Sequence, residues 1–269
     1  MNTRRWVLLR GLVREQRHWN DFPEIFKRYF PKDQLVLHDF AGNGKRFREK
    51  SATAIQDMVE DIRYTLASDS PASDSLAADA PASESQQQPV HIIALSLGAM
   101  VATEWMIRYP DECAASVLIS TSMKGLNPLH QRLLPSTYPS IIRSLLLPAP
   151  LEQKESRNLK LVSNLAADDE TRRKTLIRQW AGYARECPVS ASNGLRQLIA
   201  AARFHIPAKK PRQPVLILRS RADHLVSPEC SVTLAEYWHK SLQTHETAGH
   251  DIPLDDADWV CRRIVEWLG

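Results

Sequence analysis

Five short apolar runs, set apart by helical patterns, constrain this chain most. Trp6–Leu9, Leu35–His38, Val90–Leu95, Val117–Ser120 and Val215–Leu218 are the kind of run that buried parallel strands show. Gln243–Thr247 is a weaker sixth candidate. Between them lie helical patterns at Asp21–Phe30, Ser51–Leu66, Leu97–Arg108, Pro228–Lys240 and Asp256–Leu268. Ser51 is a plausible N-cap, and Pro110 stops the third helix just after Tyr109. Pro228 follows Ser227, an N-cap with proline at the first helical position. Strand–helix alternation predicts an α/β fold, a mostly parallel sheet of about six strands flanked by helices.

The alternation lapses between residues 123 and 213. That stretch holds Pro128, Pro135, Pro139, Pro148, Pro150 and Pro188 among its prolines, and no strand candidate. Thr137–Leu147, Glu152–Leu165, Glu170–Arg185 and Ser192–Phe204 are its predicted helices. The expected organisation is a core of residues 1–122 and 214–269 carrying a helical cap, 123–213, which ends at the basic hinge Pro207–Arg212. A second insertion, Ser68–Gln88, has four acids, no base and Leu76 as its one large apolar residue. It cannot bury enough surface to offset its ordering entropy, so a mobile loop is expected.

The longest apolar stretch, Ile92–Thr103, is twelve residues and contains Ser96. A membrane span needs roughly 20. The N-terminal apolar run has four residues, short for a signal peptide. A cytoplasmic protein without a membrane span is therefore expected. Cys113, Cys187, Cys230 and Cys261 are far apart with no CxxC pair, which reads as buried thiols rather than a metal or redox site. A net charge of +4 is too mild to imply nucleic-acid binding.

The chemistry concentrates at Ile92-Ile-Ala-Leu-Ser96-Leu-Gly98, where a strand breaks at a serine and passes directly into a helix. Such a turn lifts the hydroxyl above the sheet and sets the next backbone N–H at a helix N-terminus. Small residues two before and two after the serine, here Ala94 and Gly98, let strand and helix approach. The plainer account is a capping serine in an ordinary turn. The segment resembles the nucleophile elbow G-x-S-x-G of the α/β-hydrolase family, with alanine at the first glycine position.

Other motifs extend the resemblance from residue 9 to residue 253, over the core but not the cap. Asp223-His-Leu-Val-Ser-Pro228, after the fifth strand, looks like the family's acid turn. Ala248-Gly-His250-Asp-Ile-Pro is similar to its Gly-His loop. The order serine, acid, histidine is the family's. The resemblance thus implies Ser96 as nucleophile, His250 as base and Asp223 as the acid that orients it. His224, His245 and Asp251 are the nearest rivals, each displaced from the motif position. A turn-forming aspartate and a surface-loop histidine are the plainer accounts of Asp223 and His250.

An oxyanion hole needs two backbone N–H donors, and the resemblance supplies Leu97 and, from the loop after the first strand, Leu12. Arg10 stands where family members usually carry histidine. Asp39-Phe-Ala-Gly42-Asn-Gly44 resembles the family's D-x-P-G-x-G loop, with Ala41 for proline. The family's sheet usually has eight strands; here the oxyanion-loop strand begins six residues into the sequence, so the first two are not expected.

Rival motifs fail on spacing. Gly44-Lys45 lacks the rest of a P-loop, His245-Glu246 with His250 is one residue too long for a zinc motif, and no G-x-G-x-x-G follows a strand. No metal or organic cofactor is implied. Trp180, Trp238, Trp259 and Trp267 sit on helical patterns and read as core or interface. The expected function is a serine hydrolase acting on an ester, thioester or related acyl bond of a small molecule or carrier-bound acyl group. Acyl transfer, C–C hydrolysis or a lyase step with the same three residues is the alternative, and a non-catalytic binding protein on this fold is the second.

The charge is unevenly placed. Residues 123–213 hold sixteen Lys/Arg against six Asp/Glu, while 68–88 contributes −4 and the remaining core −2. A solvated helical surface is the plain account. An anionic substrate, or an acidic carrier protein presenting an acyl chain, is the sharper one. Nothing in the sequence fixes an oligomeric state.

Overall fold

A computed structural model of the protein describes residues 3–68 and 88–269. Most of the segment expected to form a mobile loop, residues 69–87, lies outside the described residues. Six strands form one sheet: β1 (Arg5–Leu9), β2 (Gln34–His38), β3 (Val90–Leu95), β4 (Cys113–Ile119), β5 (Val215–Ser220) and β6 (Ser241–His245). Every neighbouring pair is parallel, and the order is β2-β1-β3-β4-β5-β6. Helices α1 (Phe22–Tyr29), α2 (Ile55–Ser68) and α3 (Leu97–Arg108) follow β1, β2 and β3. Between β4 and β5 come α4 (Leu129–Arg132), α5 (Tyr138–Leu146), α6 (Leu151–Val162), α7 (Leu165–Asp168), α8 (Glu170–Glu186) and α9 (Ala191–Arg203). Helix α10 (Glu229–Trp238) joins β5 to β6, and α11 (Ile252–Asp255) and α12 (Ala257–Leu268) follow β6.

Strand side chains alternate between the two faces, and both faces are covered. Val7, Leu9, Ile92, Ala94 and Leu118 pack against Val59 and Ile62 of α2 and Trp105 of α3. Trp6, Leu8, Ile93, Val117 and Leu216 face the other way, onto Phe22 and Phe26 of α1 and Ile264 of α12. Burial on both faces explains why these strands read as continuous apolar runs. Each such Leu, Ile or Val contributes about 2 kcal/mol on removal from water. Four of the five residues of the edge strand β6 are half-buried or exposed, all but His245, which is why its signal in the sequence is faint.

Some expected boundaries shift for local reasons. Strand β6 begins two residues before the predicted Gln243. Strand β4 begins at Cys113, after a 3-10 turn at Pro110–Glu112, and ends before Ser120, whose φ is 48°. Helix α2 starts at Ile55, so Ser51 does not cap it. The Ser51 hydroxyl donates instead to Ala41 O (2.7 Å) and accepts from Gln197 Nε2 (3.1 Å), tying the 39–44 loop to α9. Helix α10 takes Pro228 rather than Ser227 as its N-cap, with no side-chain cap bond. Cys113, Cys230 and Cys261 are buried free thiols, whereas Cys187 is half-buried. Trp180 and Trp238 are buried, and Trp259 and Trp267 pack partly buried on the core. No helix among the described residues is long and apolar enough to cross a membrane.

The sheet order reverses at β1. The chain runs from β1 outward to β2, then crosses back to place β3 on the other side of β1. The loops leaving the carboxyl ends of β1 and β3 therefore diverge and leave a crevice, where open α/β sheets bind their ligands.

Candidate active site

Ser96 sits at that crevice with φ 57° and ψ −113°, a backbone conformation that L-residues rarely adopt. Its N–H donates to Ile119 O (2.9 Å), and its carbonyl accepts from Ala99 N (3.0 Å) and Thr121 Oγ1 (3.1 Å). These bonds hold the strained turn from β4 and from α3. The close packing that the motif demands is visible at Gly98: a Cβ there would lie 2.5 Å from Leu9 O and 2.7 Å from Arg10 O. A Cβ on Gly11 would lie 3.3 Å from Ser96 Cβ, so the loop after β1 runs directly beside the serine.

Asp223 and His250 come together from the loops after β5 and β6. Both are buried, and His250 Nδ1 lies 2.8 Å from Asp223 Oδ2. The other carboxylate oxygen accepts from Leu225 N (2.8 Å) and Val226 N (3.0 Å), which fixes its plane. A carboxylate can only accept, so Nδ1 carries the ring hydrogen and Nε2 presents its lone pair. That Nε2 is buried with no hydrogen-bond partner among the described residues. Ser96 and His250 line one cavity of about 440 Å³, mostly apolar, with Leu12 and Leu97 on its wall. The Leu97 N–H opens α3 and has no carbonyl within that helix to donate to. In the loop after β1, the Val13 N–H is taken by Gln197 Oε1 at 2.8 Å, beside the Leu12 N–H.

The sequence profile described as "Serine aminopeptidase, S33" matches residues 18–257. The chain belongs to this family of α/β hydrolases. Solved structures similar to this chain include a hydrolase from Pseudomonas aeruginosa (TM-score 0.75, 13% identity, covering 99% of this chain and 90% of that one). An enol-lactonase from Burkholderia xenovorans is similar over 100% of this chain and 92% of its own, with TM-score 0.74 and 14% identity. A lipase-esterase related protein from Clostridium acetobutylicum covers 98% and 94%, with TM-score 0.68 and 14% identity. At these identities the likeness is one of fold. No curated protein matches the sequence significantly.

In this chain the rival residues are engaged elsewhere. His224 is exposed. His245 Nδ1 accepts from Ala248 N (3.0 Å) and Thr247 N (3.2 Å), and its Nε2 lies 3.3 Å from Asp256, so it shapes the Gly-His loop. Asp251 pairs with Arg10 at 2.5 and 3.3 Å, both side chains buried, and the guanidinium lies 4.8 Å over Trp19. Arg10, at the family's histidine position, thus ties the loop after β1 to the loop that carries His250. The departure was visible in the sequence; its partner, 241 residues away, was not.

Two more groups shape this site. Asp255 accepts from Gly249 N (2.7 Å), Asn164 N (2.9 Å) and Ala166 N (3.0 Å), so one carboxylate holds the Gly-His loop against the segment after α6. His18 is buried in the cavity wall beside Arg14, Trp180 and Tyr183. Its desolvation, with Arg14 and Arg10 adding repulsion, puts its pKa well below the ordinary histidine value. Both ring nitrogens face donors, Glu15 N–H at 3.2 Å and Arg14 Nη1 at 3.1 Å, so a protonated ring would set N–H against N–H twice.

Proposed function

We propose that the chain is a serine hydrolase that cleaves an ester, thioester or related acyl bond through an acyl-enzyme on Ser96. The reading rests on one observation: the His250–Asp223 bond at 2.8 Å, with the free His250 Nε2 in the wall of the cavity that Ser96 lines. His250 Nε2 takes the Ser96 proton as Oγ attacks the substrate carbonyl. The Leu12 and Leu97 N–H groups receive the developing oxyanion, typically worth about 3 kcal/mol for each donor. The imidazolium then protonates the leaving group. Water, deprotonated by the same nitrogen, clears the acyl-enzyme and restores Ser96. Asp223 fixes the tautomer and stabilises the imidazolium throughout.

Residues 123–213 act as a cap over this centre. Arg14 pairs with Glu155 of α6 at 2.8 Å and Gln197 of α9 binds Asn43 at 2.8 Å, so the insertion is anchored to the loops around the serine. The substrate is a small acyl compound or a carrier-bound acyl group.

A fluorophosphonate probe tests the chemistry. The wild type is expected to be labelled, and Ser96→Ala is expected to lose labelling while keeping its circular dichroism. His250→Ala should label at least about 100-fold more slowly, the usual scale of general-base catalysis. A wild type that is never labelled, and that cleaves no member of a panel of 4-nitrophenyl esters and acyl-thioesters, would refute the reading.

A further inference from the structure

The cavity beside Ser96 is not electrically balanced. Three carboxylates line it, and each is already bonded to an arginine: Glu15 to Arg17, Glu155 to Arg14 and Asp251 to Arg10. Two further cations line it without a carboxylate partner among the described residues, Arg132 of α4 and Lys154 of α6. Lys154 is half-buried and can reach water. Arg132 is more than nine-tenths buried.

Arg132 makes two hydrogen bonds, both to main-chain carbonyls at the end of α9: Nη1 to Ala202 O (3.1 Å) and Nη2 to Ala201 O (2.7 Å). A guanidinium has five N–H groups, and Arg132 Nε is left buried with no partner. The carbonyl end of a helix offers roughly half a negative charge, so the two bonds offset only part of the cation. Burial pushes the Arg132 pKa below the ordinary arginine value, the response of a cation whose compensation is incomplete. Ser144 of α5, on the same cavity wall, also has a buried hydroxyl without a partner. The rest of the lining is mainly apolar. A buried cation of this kind is stable when the missing counter-charge arrives with a ligand.

We infer that Arg132 is the anion subsite of the cavity, and that the substrate carries a carboxylate or a similar anionic group at a distance from the bond cleaved at Ser96. This rests on the serine-hydrolase reading for the reaction but not for the binding. The anion would be held by charge-assisted hydrogen bonds from the unused N–H groups. The apolar lining would take the connecting chain.

Three esters of one chain length separate the cases at 0.15 M salt: 4-nitrophenyl hexanoate, mono-4-nitrophenyl adipate with an anion on the acyl side, and 3-carboxy-4-nitrophenyl hexanoate with an anion on the leaving group. One of the charged esters is expected to exceed the neutral one in kcat/KM by about tenfold or more, the scale of one charge-assisted hydrogen bond. Arg132→Met should erase most of that ratio, Arg132→Lys should keep part of it, and Lys210→Met, an exposed cation outside the cavity wall, should keep all of it. Normalising each variant to its fluorophosphonate-labelled fraction removes any loss from misfolding. Equal rates on all three esters, or equal erosion of the ratio by Arg132→Met and Lys210→Met, would overturn the subsite. Calorimetric binding of monomethyl adipate against uncharged methyl hexanoate to Ser96→Ala reads the same preference without turnover. A protein that binds monomethyl adipate more tightly than methyl hexanoate but cleaves nothing would keep the subsite and lose the reaction; one that cleaves the neutral ester and ignores the anion would do the reverse.

Discussion

At His18 a single side chain sets a pH dependence whose sign can be worked out. Its pKa is lowered in the folded protein by burial and by Arg14 and Arg10, whereas in the unfolded chain it titrates near the ordinary 6.5. Above about pH 6.5 both states are neutral and His18 contributes no slope. Below it the unfolded chain takes a proton that the folded one refuses, so stability falls as pH drops toward the depressed native value. Urea unfolding at pH 7.5 and pH 5.5 should show a loss of about 1 kcal/mol, the linkage of one proton over one pH unit. His18→Gln should remove most of that difference. Two glycines make a second residue-scale contrast. Gly98→Ala drives a methyl against the main-chain oxygens of Leu9 and Arg10 at 2.5 and 2.7 Å, which cannot yield without separating the end of β1 from α3. It should cost about 3 kcal/mol and abolish probe labelling. Gly182, inside α8 with no atom within 4 Å of a Cβ, should gain about 1 kcal/mol as alanine. Chemical denaturation of the two variants checks both signs.

The loops after β1 and β6 are joined by one buried ion pair, Arg10–Asp251, and it can be separated from the other work its carboxylate does. Asp251 also accepts from Leu254 N at 3.3 Å as the N-cap of α11. Arg10→Met leaves an uncompensated buried carboxylate and should cost about 3–5 kcal/mol. Adding Asp251→Asn removes that charge while an amide oxygen keeps the cap, so the double variant should be more stable than Arg10→Met alone. Melting data that give additive losses would show that the pair is not coupled. The same elements mark how much the sequence revealed. Strands β1, β3 and β5 were legible because burial on both faces makes them apolar end to end. Strand β6 was misplaced by two residues because an edge strand alternates with solvent. The residues at the centre of the site were legible because each sits where a strand ends in a tight turn, with small or rigid neighbours that the geometry demands. Arg10–Asp251, Asp255 and Arg132 were not legible. Their partners are 241, 91 and 70 residues away, or are main-chain carbonyls, and no local pattern encodes such pairs.

Over the whole molecule the net +4 is the residue of a much larger imbalance, because residues 123–213 alone hold sixteen Lys/Arg and six Asp/Glu. The acids of that insertion are largely spent. Glu155 and Glu186 pair with the core arginines Arg14 and Arg17, Glu152 with Arg185, and Glu170 with Arg173 and Lys174. Arg143, Arg178, Arg203 and Lys209 are exposed and have no ion-pair partner among the described residues. Such charges do little for stability one at a time, but together they produce a field around the insertion. The field and the Arg132 subsite act at different ranges, and salt tells them apart. The Debye length is about 30 Å at 0.01 M salt and about 8 Å at 0.15 M, so the field is felt by an approaching substrate only in the first case. Reversing the four exposed charges to glutamate should lower kcat/KM for an anionic ester severalfold at 0.01 M salt. It should have little effect at 0.15 M, and none on a neutral ester at either. Arg132→Met should instead weaken discrimination at both ionic strengths, because a buried contact is poorly screened. If the fourfold reversal lowers both esters equally, the cap charge is a solvated surface and any preference for anions is local to the cavity.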